Sequence, residues 1–286
     1  MFVIIGWVVV MGCIFGGYAL AGGHLGGLWQ PLEVLMIAGG AVGAFIAANT
    51  MHALKHTMGA VAGAFKGSKF SKTYYMELMG LLFELLAKAR KEGLMALEGD
   101  VEEPEKSAIF GKYPNITSDH HLVDFITDYL RMIVGGNLNA MEIENLMDSE
   151  LEVHHHEENH PAHAVGKLAD ATPAFGIVAA VMGVVHTMES LHLPPAELGV
   201  LIGHALVGTF LGILISYGFF APLVSVLETK ASEASKSFQV VKVVLLASMN
   251  GYAPQTCVEF GRKVLFSTER PSFAELEEDI KNRKGK

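Results

Sequence analysis

Cysteine and charge are both scarce in this sequence. Of its 286 residues only two are cysteine, Cys13 and Cys257, so a framework of disulfide bonds is not indicated. Charged residues make up 18% of the chain, whereas a soluble domain carries about 25%. The net charge of −9 argues against nucleic acid as a partner, because nucleic acids attract basic surfaces.

Four apolar runs produce the shortage of charge. They cover residues 2–21, 34–51, 173–191 and 198–221. Each is close to the roughly 20 residues that a helix needs to cross a membrane, so we predict four transmembrane helices rather than four buried helices of a soluble core. The first run has no Lys or Arg before it and is longer than a signal-peptide core of about 7–15 residues, which predicts a retained span.

The positions of Lys and Arg predict how the runs are oriented. The two short turns, residues 22–33 and 192–197, contain neither residue. Lysines lie instead soon after the second and fourth runs: Lys55, Lys66, Lys69, Lys72, Lys230, Lys236 and Lys242. The positive-inside rule therefore places both turns outside, and both long segments and both termini in the cytoplasm.

These observations predict an all-α, polytopic membrane protein with a large helical cytoplasmic insert. The expected domains are a transmembrane hairpin at 1–51, a cytoplasmic helical domain at 52–169, a second hairpin at 170–222 and a cytoplasmic helical tail at 223–286. Apolar residues recur at spacings of three and four over 73–92, 121–134 and 140–152, which is typical of amphipathic helices. Ser272 with Glu275 fits a capping box that opens a last helix.

Ionisable residues lie mostly at the ends of the apolar runs. We expect Glu33 outside the second run, Glu189 near the outer end of the third and Asp170 near its inner end. His186 and His204 lie deeper, in the outer half. None of the runs supplies a carboxylate at mid-depth. Either the protein moves no ions, or a partner helix brings the ion-carrying group.

Small residues and prolines give the runs further features. Glycines four apart let helices approach closely in lipid, and they occur as Gly12 with Gly16, Gly39 with Gly43, Gly199 with Gly203, and Gly208 with Gly212. Pro173 and Pro222 lie at the inner ends of the third and fourth runs, where each either ends a helix or acts as a hinge. Thr209 either offers an uncharged hydroxyl to a path through the membrane or bonds back to its own helix.

Residues 154–163, HHHEENHPAH, are rich in histidine. We interpret them as a solvated variable loop before the third run. A zinc or nickel site is the alternative, because histidines and carboxylates bind these metals. The segment lacks a fixed four-ligand framework, which disfavours that alternative.

Several strings resemble the flagellar stator branch of the MotA/TolQ/ExbB proton channel family. They are PAFGIVAAVMGVVH from Pro173, VGTFLGIL from Val207, and NGYAP, VEFGRK and ERPSFAELEE in the tail, together with YP and DFITDYLR in the insert. The resemblance covers nearly the whole chain. It implies a non-enzymatic subunit of the bacterial inner membrane, without cofactors, that forms a homo-oligomer around the single span of MotB. The proton-binding aspartate would then belong to MotB.

The resemblance also implies roles for individual residues. Arg90 and Glu98 match charges that contact the rotor protein FliG, although on their own they would be read as a solvated helix face. Pro173 and Pro222 match prolines that couple ion flow to movement. Thr209 matches a hydroxyl beside the ion path. Ala180 lies where sodium-driven relatives tend to have threonine, which favours protons as the coupling ion.

Three alternatives stay open at this point. An energiser of the ExbB or TolQ type surrounds a single-span partner in the same way, but such proteins typically have three spans. A sodium-driven stator subunit differs only in its ion. A self-sufficient channel or transporter would conduct without a partner.

Overall fold

The computed structural model describes residues 2–136 and 138–284, and within these ranges the chain forms helices and no strand. The helices are α1 (Phe2–Leu20), α2 (Pro31–Ala48), α3 (Met51–Ala64), α4 (Lys72–Glu92), α5 (Glu98–Glu102), α6 (Pro114–Thr117), α7 (His120–Gly135), α8 (Ala140–Glu189), α9 (Pro195–Ile215), α10 (Ala221–Met249), α11 (Pro254–Lys263) and α12 (Phe273–Lys284). A π-helical turn, Ser216–Phe220, joins α9 to α10. The all-α prediction is confirmed.

The helices form two compact units. The membrane unit comprises Met1–Gly67 and Asn159–Lys230, and the second unit comprises Ser68–Glu158 and Ala231–Lys286. Helix α8 contributes residues to both. Four helical segments are long and apolar enough to cross a membrane: Phe2–Leu20, Leu25–Ala48, Ala140–Glu189 and Pro195–Met249. The chain is therefore a multi-pass membrane protein.

Helices α8 and α9 approach each other closely within the membrane unit because small residues line the contact. A Cβ atom added to Gly212 would lie 2.7 Å from the carbonyl oxygen of Thr172, and one added to Gly176 would lie 2.8 Å from that of Gly208. Further along, a Cβ atom on Gly183 would lie 2.7 Å from that of Ala205. Of the four glycine pairs singled out in the sequence, Gly208 with Gly212 makes this helix–helix contact.

The second unit has a core of large apolar side chains. The largest of its fully buried residues include Tyr75, Phe110, Tyr113, Phe125 and Tyr129. Amphipathic helices α4 and α7 supply many of these residues, as their spacing predicts. Helix α4 begins at Lys72, where the Ser71 hydroxyl accepts from the Tyr74 amide at 3.3 Å. It ends at Gly93, whose φ of +92° favours glycine.

The capping box at the start of α12 is confirmed. The Ser272 amide donates to Glu275 Oε2 at 2.7 Å, and the Glu275 amide donates to the Ser272 hydroxyl at 3.2 Å. Lys72 also donates to the Glu275 carboxylate, at 2.6 Å. These hydrogen bonds, that of Lys72 foremost, lower the pKa of Glu275 to about 2.

The prediction of a loop at 154–163 is wrong, because these residues are helical and belong to the 50-residue helix α8. The segment contains no glycine that would stop a helix, and Pro161 is accommodated inside α8. Two histidines have partners on α10: the His154 ring packs on Phe238 with centroids 4.0 Å apart, and His155 Nδ1 lies 3.1 Å from the Ser235 hydroxyl. These side chains form part of a packed helix face.

Candidate functional site

Pro173 lies inside helix α8, so it does not mark a helix end. A proline has no N–H, which leaves the carbonyl four residues earlier, on Ala169, without its helical donor. The buried Thr172 hydroxyl donates to that oxygen at 2.9 Å. Thr172 was not among the predicted functional residues. Its signal in the sequence is a hydroxyl residue directly before the proline that opens an apolar run.

Pro222 also lies within a continuous helical segment, as the second residue of α10. The chain accommodates it differently, because the preceding turn is π-helical. The Ala221 amide donates to the Ser216 carbonyl, five residues back. Phe219 of this turn packs against Trp7 of α1, with ring centroids 5.4 Å apart. A π-turn of this kind lets a helix continue past a residue that interrupts its regular hydrogen bonds.

The two residues predicted to line an ion path lie on facing helices. Ala180 belongs to α8 and Thr209 to α9, and both are half-buried. A Cβ atom on Gly208, the neighbour of Thr209, would lie 3.3 Å from the Ala180 amide nitrogen. The close contact of α8 and α9 therefore brings this pair to the same level of the membrane unit.

The expectation that Glu33 lies outside the second span is wrong. Glu33 is the third residue of α2, 7% exposed, and its Oε2 packs against Gly208. The difference arises because α8 and α9 continue well beyond this level, to Glu189 and Pro195. A residue near the end of its own helix is thus covered by its neighbours.

Arg90 and Glu98 lie close in sequence on the surface of the second unit. Arg90 is in the last turn of α4, Glu98 opens α5, and both side chains are exposed. Among the described residues neither forms an ion pair with another side chain. Arg90 also lines a cleft of about 300 Å³ with Phe83, Ala87, Lys91 and residues 253–255.

A buried carboxylate fixes the loop that joins these two charges. Asp100 of α5 accepts from Lys88 of α4 at 2.7 Å and from the Ser107 hydroxyl at 2.5 Å. Leu97, in the turn before Glu98, is fully buried in the core. Arg90 and Glu98 are therefore presented from a rigid support. Sequence reasoning had not singled out Lys88 or Asp100.

The histidine-rich segment does not assemble a metal site. Across the described ranges, no three His, Cys, Asp or Glu side chains are placed to hold one metal ion. In helix α8 the three adjacent histidines, His154 to His156, point to different sides of the helix.

Comparisons with known proteins agree with this architecture. The model for the Motility protein A N-terminal region matches residues 4–93, and the model for the MotA/TolQ/ExbB proton channel family matches residues 118–240. Motility protein A of Salmonella typhimurium is 53% identical over 281 residues, 98% of this chain and 95% of that protein.

Two solved structures are also similar. One is described as C. jejuni MotAB, with a TM-score of 0.75 at 22% identity, covering 94% of this chain and 98% of that one. The other is the flagellar MotAB stator complex from Bacillus subtilis, with a TM-score of 0.72 at 25% identity, covering 96% and 97%.

Proposed function

Because the chain belongs to the Motility protein A family, we propose that it is a stator subunit of a bacterial flagellar motor, which is not an enzyme. The observation that carries the proposal is the 53% identity to a Motility protein A over nearly the full length of both chains. The N-terminal family model covers the first two spans, which supports a stator subunit over an ExbB- or TolQ-like energiser.

The partner in the membrane would be MotB, whose single span would bring the proton-binding aspartate. Both similar structures are MotAB complexes, and Ala180 and Thr209 lie at one level of the membrane unit, where they would face that span. A proton that falls through 100 mV releases about 2.3 kcal/mol. Several protons would therefore drive a modest mechanical step.

Several copies of the chain would surround MotB. Helix α1 supports this proposal, because none of its side chains is buried within the protein. Its apolar residues, such as Phe2 and Val8, need lipid or another subunit against them. The four helical spans suit the inner membrane, and the positive-inside rule supports both termini in the cytoplasm, since the two short turns carry no Lys or Arg.

The second unit would push on the rotor protein FliG through Arg90 and Glu98. Their exposure and the rigid loop between them support this role. Exposed ion pairs contribute only about 0–1 kcal/mol, which suits a contact that forms and breaks repeatedly. Pro173 and Pro222 would couple the proton's arrival to movement, since Pro173 lies in α8, which carries Ala180, and Pro222 follows α9, which carries Thr209, after one π-helical turn.

Complementation tests the proposed function. The chain is produced in a flagellated bacterium whose own Motility protein A gene has been deleted, while MotB and FliG are kept. Swimming is recorded in soft agar. We expect swimming to return, and to fail when MotB is deleted as well. The organism's own gene is the positive control. If the chain reaches the membrane in the same amount as the control protein but swimming does not return, the proposal is contradicted.

A further inference from the structure

Helix α2 carries a buried carboxyl group that the proposed function does not use. Glu33 lies on the same face as Ile37 and Ala41, which are 0% and 1% exposed. Its Oε2 atom has no hydrogen-bond donor among the described residues. Because an isolated charge in an apolar site is very costly, such a group either carries a proton or faces a cation.

The carboxyl group lies where helices α8 and α9 meet. A Cβ atom on Gly208 would collide with Glu33 Oε2, and it would lie 3.1 Å from the Ala179 Cβ atom and 3.3 Å from the Ala180 amide nitrogen. The oxygen therefore occupies space that exists because position 208 has no side chain. Ala180 and Thr209, the predicted lining of the path, adjoin this contact directly.

Among the described residues of α9, one ionisable side chain lies within one helical turn of Gly208. It is His204 of α9, which is half-buried and lies on the helix that packs against Glu33. His204 precedes Gly208 by four residues, about 6 Å along the helix axis, towards the Pro195 end of α9. Ala179 adjoins the same contact and belongs to a buried apolar cluster with Ile37, Val207 and Leu211. Imidazole is a common proton-transfer group, and His204 lies on the side of Gly208 nearer that end.

We propose that Glu33 is a second proton-binding group of the ion path, contributed by this chain itself. The proposal rests on the proposed function, in which protons reach a carboxylate on MotB. Only a proton moves in this step. Glu33 Oε2 gains it from the side of His204, and the carboxylate is restored when the proton passes on towards the MotB span. Each subunit of the assembly would hold one such group.

Proton flux through the complete complex tests the inference. Vesicles that contain the chain with MotB are given a membrane potential, and flux is measured over a range of external pH. Glu33→Gln keeps the shape of the side chain but cannot bind the proton, so we expect the flux to fall about tenfold or more. Glu33→Asp keeps a carboxyl group and should retain part of the flux with a shifted pH profile. Glu197→Gln, an exposed carboxylate of the first turn of α9, is the matched control and should leave flux unchanged.

The outcomes separate this inference from the proposed function. Glu33→Gln with wild-type flux and pH profile overturns the inference alone. Equal losses in Glu33→Gln and Glu33→Asp also overturn it, because they indicate a packing role. If the Glu33→Gln complex does not assemble, the Glu33→Asp variant tests the inference. A pH profile of proton flux in Glu33→Asp that equals the wild-type profile overturns it. A wild-type complex without proton flux overturns both proposals.

Discussion

The two units of this chain are stabilised by different kinds of contact. The second unit buries large side chains such as Tyr75 and Phe125 in a core of its own. The membrane unit brings helices together through Gly176, Gly208 and Gly212, and α1 buries no side chain. Apolar faces that a soluble unit would bury are thus left exposed, as in a protein surrounded by lipid. The membrane unit therefore leaves apolar side chains exposed, whereas the second unit has its own core and presents the charges of Arg90 and Glu98 from it.

Gly212→Val should have the largest effect on assembly and swimming, because it disrupts the close contact between α8 and α9 in the membrane unit. Any Cβ atom there meets the Thr172 carbonyl oxygen at 2.7 Å and the Gly176 Cα atom at 3.0 Å, and both belong to backbone that cannot move aside. We expect a loss of about 3 kcal/mol of stability, with little complex in the membrane and no swimming. The measurement is the amount of complex recovered with tagged MotB. Gly199→Val, with open space around it, is the control and should assemble normally.

Leu97→Ala tests the core of the second unit. Leu97 is fully buried beside the loop that presents Glu98, so its truncation should cost about 2–5 kcal/mol. Leu94→Ala, the same change at a side chain 44% exposed, should stay within about 0.5 kcal/mol of wild type. Thermal unfolding of the purified chain in detergent measures both. Equal stability of the two variants would contradict the assignment of this core.

Thr172→Val tests how the membrane unit accommodates Pro173. The change leaves the Ala169 carbonyl without its donor, which should cost about 1–3 kcal/mol. Thr172→Ser keeps the hydroxyl and should retain most of the stability. In a Pro173→Ala background the alanine amide replaces the lost donor, so Thr172→Val should cost clearly less. A double-mutant cycle by thermal unfolding measures this coupling, and strictly additive effects would show that the hydroxyl does not serve the proline.

Arg90→Glu should have the smallest effect on the fold and a clear effect on motility. Arg90 is exposed and forms no ion pair among the described residues, so stability should change by less than about 0.5 kcal/mol. Swimming should weaken and should recover when a charge on FliG is reversed. Lys281→Glu, which removes the exposed Lys281–Glu277 pair of α12, is the control and should leave swimming unchanged. Failure of every reciprocal exchange would count against direct pairing with the rotor.

The sequence predicted the parts of the fold that depend on local pattern. The four spans follow from long apolar runs, α4 and α7 from their spacing, and the start of α12 from Ser272 and Glu275. Each of these signals is contained within one stretch of chain. The rotor-facing, path-lining and hinge roles came from resemblance, and they stay predictions.

The sequence could not predict features that depend on neighbouring helices. Glu33 stands at the end of its own apolar run, and its burial depends on how far α8 and α9 extend past it. Helix α8 continues through Pro173 because Thr172 supplies the missing donor, an effect of side-chain placement that composition does not reveal. The contacts of His154 and His155 with Phe238 and Ser235 of α10 likewise join residues far apart in the sequence.

The most direct test of a proton-driven stator is the rotation speed of single motors that contain this chain as their stator subunit. Speed is measured in sodium-free medium while a protonophore lowers the proton gradient in steps. We predict that rotation persists without sodium and that its speed falls in proportion to the gradient. Rotation that requires sodium, or that is unchanged when the proton gradient is removed, would contradict a proton-driven stator.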